Sequence, residues 1–90
     1  MVPLYTLHLF AGAGGGLLAD CLLGHIPIGA VELDPYCREV LLQRQRDGLL
    51  PVFPLWDDIC TFRLDNPDTR PFILSLKEHA EELAVCGGFP

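Results

Sequence analysis

Several features that mark common protein classes are missing from this sequence, beginning with paired cysteines. The four cysteines, at positions 21, 37, 60 and 86, are widely separated, whereas zinc sites and dithiol redox motifs need close pairs. The sequence therefore predicts no metal site. We expect reduced, mostly buried thiols, as in proteins of a reducing compartment.

Long hydrophobic runs are missing as well. The longest apolar runs begin at Leu4 and Leu17, and each is interrupted within about ten residues, whereas a membrane-spanning helix needs about twenty. No positively charged segment precedes a long apolar stretch, as it would in a secretory signal. We therefore expect a cytoplasmic protein that has no membrane partner.

Positive charge is scarce. Six Lys and Arg stand against 12 Asp and Glu, which gives a formal net charge of -6 at pH 7. A surface that binds duplex DNA needs clustered Lys and Arg. If DNA is a partner of this protein, most of the phosphate contacts must lie outside these residues.

The sequence does contain a regular alternation of predicted strands and helices. Ninety residues, half of them hydrophobic, are enough for one small domain. Strands are predicted at residues 5–10, 28–33, 52–56 and 83–86, and helices after the glycines at 12–16, from Asp34-Pro35 to Gly48, and at 72–82. This alternation predicts an α/β fold with an open, doubly wound parallel sheet of about four strands.

Two features at the ends of these strands indicate a nucleoside site. The segment Gly12-Ala13-Gly14-Gly15 lies at a strand-to-helix turn, where glycines let the backbone approach a ligand or simply form a tight turn. Glu32 follows Gly12 by 20 residues, at the end of the second strand, where an acid can accept hydrogen bonds from both ribose hydroxyls. Leu33 would offer adenine an apolar face, and Asp58-Ile59 could supply an acceptor for its amino group.

The dinucleotide fingerprint is incomplete. G-x-G-x-x-G requires a glycine at position 17, where this chain has Leu17. The sequence therefore lacks one element of the NAD-binding motif. S-adenosylmethionine, which also carries a free ribose, fits the glycine turn and the acid equally well.

Four segments resemble the motifs of DNA cytosine-5 methyltransferases in family order. They are residues 9–15 (LFAGAGG), 31–36 (VELDPY), Asp58-Ile59, and 86–90 (CGGFP), while residues 60–82 match nothing in particular. The resemblance implies an open, Rossmann-like methyltransferase sheet with the strand order 3-2-1-4, and an S-adenosylmethionine pocket. Its candidate residues are Phe10, Ala11, Gly12, Ala13, Gly14, Gly15, Glu32, Leu33, Asp58, Ile59 and Pro90.

The resemblance also implies an activity and its missing parts. The family transfers a methyl group to carbon 5 of cytosine in DNA after a cysteine thiolate has added to carbon 6, and that cysteine would follow Pro90. This chain alone is therefore expected to be inactive, a partial domain of residues 1–90 whose DNA contacts lie mainly elsewhere. Such enzymes suggest a bacterial or phage-encoded restriction-modification system.

The three histidines have different expected roles. His8 stands where the family usually has Asp, so it is either a structural or cofactor-contacting substitute or a plain strand residue. His25 and His79 are expected to be surface residues.

Two alternatives stay open beside the methyltransferase fragment. One is a non-catalytic module that binds a nucleoside cofactor or retains only the fold, and the other is a fragment of an NAD-dependent Rossmann enzyme. In the order 3-2-1-4, the predicted strand at 83–86 would lie at an edge of the sheet in the isolated chain, where unpaired amides and carbonyls favour self-association.

Overall fold

The computed structural model describes residues 4–87, which form one parallel sheet covered by helices. Its four strands are β1 (Tyr5–Leu9), β2 (Ile26–Val31), β3 (Leu55–Trp56) and β4 (Leu83–Gly87), in the order β3-β2-β1-β4. The helices within these residues are α1 (Gly15–Leu22), α2 (Pro35–Arg46) and α3 (Arg70–Lys77), with 3-10 turns at Ile59–Thr61 and Ala80–Glu82. This architecture confirms the predicted α/β fold and strand order.

The helices cover both faces of the sheet. Successive strand residues point to opposite faces: Ala30 packs with Leu17 of α1 and Leu41 of α2, whereas the neighbouring Gly29 faces α3. A Cβ atom at Gly29 would lie 2.5 Å from the ring of Phe72. The glycine therefore allows α3 to pack directly on the sheet, as the crossover from β3 to β4 requires.

The start of α2 agrees with its sequence signal. The Asp34 side chain accepts a hydrogen bond from the Tyr36 amide at 2.9 Å, and Pro35 occupies the first helical turn. Proline is suited to that turn because its missing N–H would have no partner inside the helix. The carboxyl end of β2 is thereby joined to α2 by a short, defined connection.

Several predicted boundaries are wrong. β2 begins at Ile26 rather than at residue 28 and contains Pro27, which lies where the register between β1 and β2 shifts. A bulge tolerates proline, because a ladder hydrogen bond is already lost there. β2 also ends at Val31, two residues before the predicted end.

The two later elements also differ from prediction. β3 is only Leu55–Trp56, since Pro54 directly before it has no amide hydrogen to donate. α3 is Arg70–Lys77 rather than 72–82, with Pro71 in its first turn, and a separate 3-10 turn follows. Ala80, which belongs to the predicted helix, lies beyond α3 and is exposed.

The cysteine prediction is half right. All four thiols are free, as expected, but they are not mostly buried: Cys21 and Cys60 are exposed, and Cys37 and Cys86 are intermediate. Within residues 4–87, no helix is long and apolar enough to cross a membrane.

Candidate nucleoside-binding site at the carboxyl ends of the strands

An open pocket of about 730 Å³ lies where β1, β2 and β3 end. Its volume falls within the range of about 300–1,000 Å³ that is usual for small-molecule sites. Open α/β sheets bind ligands at this edge. The pocket is lined by six residues predicted from sequence, namely Phe10, Gly12, Glu32, Leu33, Asp58 and Ile59, and by five that were not, namely Val31, Asp34, Pro35, Cys37 and Asp57.

Glu32 connects two walls of this pocket. Its Oε1 accepts a hydrogen bond from the Gly12 amide at 2.7 Å, and its Oε2 accepts one from the Asp34 amide at 2.8 Å. An ionised carboxylate has about four acceptor positions. Glu32 can therefore hold the glycine turn against the end of β2 and still accept hydrogen bonds from a ligand.

The backbone leaves β1 in an uncommon conformation. Phe10 has φ 55°, in the left-handed region that residues other than glycine rarely occupy. Such residues cost about 1–3 kcal/mol and are concentrated at functional sites. Phe10 lies between β1 and the glycine turn, and this bend brings it to the pocket.

The four positions of the glycine turn have different surroundings. Gly12, with φ 60°, has nothing within 4 Å of the place where a Cβ would lie, and it lines the pocket. Gly14, with φ 95°, is buried, and a Cβ there would lie 2.7 Å from Leu41 Cδ2. Of the predicted turn residues, Gly12 thus belongs to the pocket wall, whereas Gly14 permits packing between the turn and α2.

The remaining turn residues also lie away from the pocket wall. Ala11 packs against the core and donates its amide to the Val31 carbonyl at 3.3 Å. The Ala13 carbonyl accepts a hydrogen bond from the Arg44 guanidinium, and Gly15 opens α1. Their contribution is to shape the turn from behind.

The third wall follows β3. Asp58 Oδ1 accepts a hydrogen bond from the Cys60 amide at 2.9 Å and thereby caps the following 3-10 turn. The indole of Trp56 donates to the Asp58 carbonyl at 3.0 Å, which fixes this corner. Leu33 and Ile59 add apolar surface from two different walls, and Leu33 is exposed enough to meet a ligand.

The pocket is acidic. Four carboxylates line it, those of Glu32, Asp34, Asp57 and Asp58, and the lining contains no Lys or Arg among the described residues. Such a lining attracts cationic groups and repels phosphates. The charge of the pocket therefore favours a ligand with a positive centre.

Cys37 lines this pocket without the properties of a nucleophile. Burial raises the pKa of its thiol, and the charges of Asp34 and Glu32 raise it further. The thiolate is the reactive form of cysteine. The raised pKa therefore keeps Cys37 mainly in the less reactive thiol form at neutral pH.

His8 does not line the pocket. It is buried, and its Nε2 contacts Asp20 of α1, which also accepts a hydrogen bond from the Thr6 hydroxyl at 2.8 Å. Burial raises the pKa of Asp20, but the hydrogen bonds from His8 and Thr6 outweigh it, so that the pKa lies below its ordinary value. Of the two possibilities for His8, the structural one agrees with this placement.

The other two histidines are less exposed than predicted. The His25 ring lies 3.3 Å from Asp20 Oδ1, and the His79 ring packs on Tyr5 with ring centroids 4.0 Å apart. Both side chains thus have specific partners in the fold. Pro90 lies outside the described residues, so its predicted place in the pocket remains a prediction.

The fold and pocket define an open α/β protein with a candidate nucleoside site at its strand ends. No family model matches the chain, and no curated protein matches it. The functional argument therefore depends on the motifs and on the geometry that they form.

Proposed function

We propose that this chain is the cofactor-binding part of a DNA cytosine-5 methyltransferase and that it binds S-adenosylmethionine in the strand-end pocket. One observation carries the proposal. Residues from three motif-like segments, represented by Gly12, Glu32 and Asp58, are far apart in the sequence and line the same pocket. Their meeting at one pocket, together with the match of these segments to the motifs of the family, supports the proposal.

The pocket offers a partner for each part of adenosine. Glu32 would accept hydrogen bonds from the ribose hydroxyls, and Leu33 and Ile59 would contact the faces of adenine. The absence of a side chain at Gly12 would allow the ligand to approach the backbone of the turn. Asp58 would lie beside the adenine amino group.

Charge distinguishes S-adenosylmethionine from NAD. The sulfonium and ammonium groups of S-adenosylmethionine suit the carboxylate lining, whereas the two negative charges of the NAD pyrophosphate do not. Leu17, which stands at the third glycine position of the dinucleotide fingerprint, is fully buried in the core. Its side chain fills part of the interface between α1 and the sheet, where the dinucleotide fingerprint would have no side chain.

The cofactor would supply an electrophilic methyl group, and the described residues would bind and orient it. By resemblance to the family, a cysteine after Pro90 would attack carbon 6 of a cytosine that has left the duplex. The net charge of -6 means that the positive surface for DNA would come from other parts of the protein. A bacterial or phage setting in the cytoplasm would follow from the same proposal.

Calorimetric titration of the purified chain tests the ligand. We expect S-adenosylmethionine and S-adenosylhomocysteine to bind, and NAD to bind at least tenfold more weakly. Because the acidic lining attracts the sulfonium charge, added salt should reduce the affinity for S-adenosylmethionine more than the affinity for S-adenosylhomocysteine. Preferential binding of NAD would refute the proposal in favour of a Rossmann dehydrogenase fragment.

A second measurement separates a methyltransferase part from a non-catalytic binding module. This measurement is to sequence the codons that follow Pro90 in the source genome. Codons for Cys and Gln would support the enzyme, whereas a stop codon with intact cofactor binding would support the module.

A further inference from the structure

A second cluster of side chains lies away from the strand-end pocket, under α1. His8 of β1, Asp20 of α1 and Cys86 of β4 each offer one ligand atom, and these atoms all lie within 4.8 Å of one another. None of the three lines the pocket. Nitrogen, oxygen and sulfur atoms from three separate elements therefore converge at one point of the fold.

Register and packing explain the convergence. His8 and Cys86 are direct partners in the parallel pairing of β1 with β4, so their side chains project from the same face of the sheet. Gly16 allows α1 to approach that face, since a Cβ there would lie 3.2 Å from His8 Cε1. This close approach brings Asp20 over the two strand residues.

We propose that His8 Nε2, Asp20 Oδ2 and Cys86 Sγ form a binding site for a divalent transition metal of the zinc type. Imidazole, carboxylate and thiolate are the three ligand classes that zinc takes in proteins. His8 and Asp20 are 7% and 8% exposed, while Cys86 is only half-buried. The cluster is thus enclosed on the helix side and open beside β4, where water can complete a four-coordinate site.

The surroundings of Asp20 fit this role. The Thr6 hydroxyl donates to Asp20 Oδ2 at 2.8 Å, and the His25 ring lies 3.3 Å from Oδ1. Metal-binding carboxylates are usually held by such outer hydrogen bonds, which orient them and tune the site. Thr6 and His25 would therefore be positioning residues.

A plain hydrogen-bonded pair is the competing explanation, because His8 and Asp20 are in direct contact. Zinc bonds of about 2.0–2.3 Å to each ligand would replace that contact and set the two atoms further apart. The two explanations differ in their need for Cys86. A His–Asp pair requires no thiol, whereas the metal site does. The proposed site also departs from the sequence-based prediction of no metal site, which considered only the spacing of the cysteines.

The experiment uses the purified chain after removal of metals with a chelator. We expect one Co²⁺ ion to bind per chain and to produce a thiolate-to-cobalt charge-transfer band. Addition of Zn²⁺ should displace Co²⁺ and abolish this band. Zn²⁺ should raise the melting temperature, since it binds the folded state. Cys86→Ala should remove the band and weaken Zn²⁺ binding at least tenfold. His25→Ala should keep the band with about tenfold weaker binding.

Cys21→Ala is the matched control, because Cys21 is an exposed cysteine on α1 and should leave the band unchanged. Absence of a charge-transfer band in the parent, its persistence in Cys86→Ala, or its loss in a folded Cys21→Ala would each overturn the proposal. If Cys86→Ala does not fold, X-ray absorption of the Zn²⁺-loaded parent decides. A zinc coordination shell with one sulfur ligand beside nitrogen and oxygen ligands would support the site, and a coordination shell without sulfur would refute it.

Discussion

Glu32 holds the glycine turn to the end of β2, and its replacement should weaken both the fold and the pocket. It accepts hydrogen bonds from Gly12 and Asp34 at 2.7 and 2.8 Å. Hydrogen bonds to charged groups contribute about 1.5–3 kcal/mol each. The hydrogen bond from Gly12 is only part-buried and the one from Asp34 is exposed. If Glu32 were removed, water could therefore bind the two amides and offset much of the lost hydrogen-bond free energy. We expect Glu32→Ala to lower the free energy of unfolding by about 1–2 kcal/mol.

The same change should reduce cofactor affinity more than stability. Loss of the charge-assisted bonds to the ribose hydroxyls should cost about 1–3 kcal/mol, or about 5- to 150-fold in Kd. Glu32→Gln retains one carbonyl oxygen but turns an NH₂ group toward a backbone donor. Its affinity and its stability should therefore lie between those of the parent and of Glu32→Ala.

Urea denaturation and calorimetric titration with S-adenosylmethionine measure the two effects separately. Glu39→Ala is the control, since Glu39 also carries one negative charge but lies exposed on α2, paired with Arg46, and should leave affinity unchanged. A Glu32→Ala protein that bound the cofactor as tightly as the parent would refute the ribose contact. An unchanged unfolding free energy would refute the structural role of its hydrogen bonds.

Four further predictions test other parts of the argument. The chain should transfer no labelled methyl group from S-adenosylmethionine to cytosine-containing duplex DNA, and incorporation above a no-protein control would contradict the need for a further cysteine. In urea denaturation, Gly14→Ala should lower the free energy of unfolding by about 2–4 kcal/mol, because a Cβ there would lie 2.7 Å from Leu41 Cδ2 and φ is 95°. Gly12→Ala should lower it by only about 1–2 kcal/mol, because nothing lies within 4 Å of a Cβ at Gly12. Because its pKa is raised, Cys37 should react with iodoacetamide more slowly at pH 7.5 than an ordinary exposed thiol, and its rate should continue to rise above pH 9 when followed by mass spectrometry; a rate at pH 7.5 equal to that of a free thiol peptide would contradict the raised pKa. The chain should self-associate through the outer edge of β4, where Val85 is exposed, and a concentration-independent monomer in light scattering would show that this edge is adequately protected.

The parallel strands and the helices between them were predictable from local patterns, and the strand order was predictable from the resemblance to a known family. The glycine turn after β1 and the Asp34-Pro35 cap of α2 mark where each strand passes into a helix. Right-handed crossovers then leave few ways to arrange parallel strands. The observed order β3-β2-β1-β4 agrees with the prediction.

Element boundaries were less predictable where tertiary contacts override local preference. Pro27 precedes the strand predicted at 28–33, yet it lies in β2, where the register with β1 shifts beside it. Pro71 reads as part of a loop, yet it occupies the first turn of α3, which has no need of its amide hydrogen. Neither the register nor the helix start is visible in the local composition.

The candidate pocket shows the same division. Gly12, Glu32 and Asp58 could be placed near each other, because the carboxyl ends of parallel strands share one edge of the sheet. Cys37 and Asp57 were missed, since a cysteine inside a helix and an acid beside another acid carry no motif of their own. Position immediately after a strand end, or one turn into the following helix, was the available signal.

The amino-acid sequence by itself determined the alternation of strands and helices and the group of residues that follow the strand ends. These depend on periodicity, capping and turn chemistry, which act over a few neighbouring residues. Only the tertiary structure decided that Gly14 serves packing against Leu41 and that His8, Asp20 and Cys86 meet under α1. Such meetings depend on strand register and on how closely each helix approaches the sheet, and the packing of the whole interior sets both.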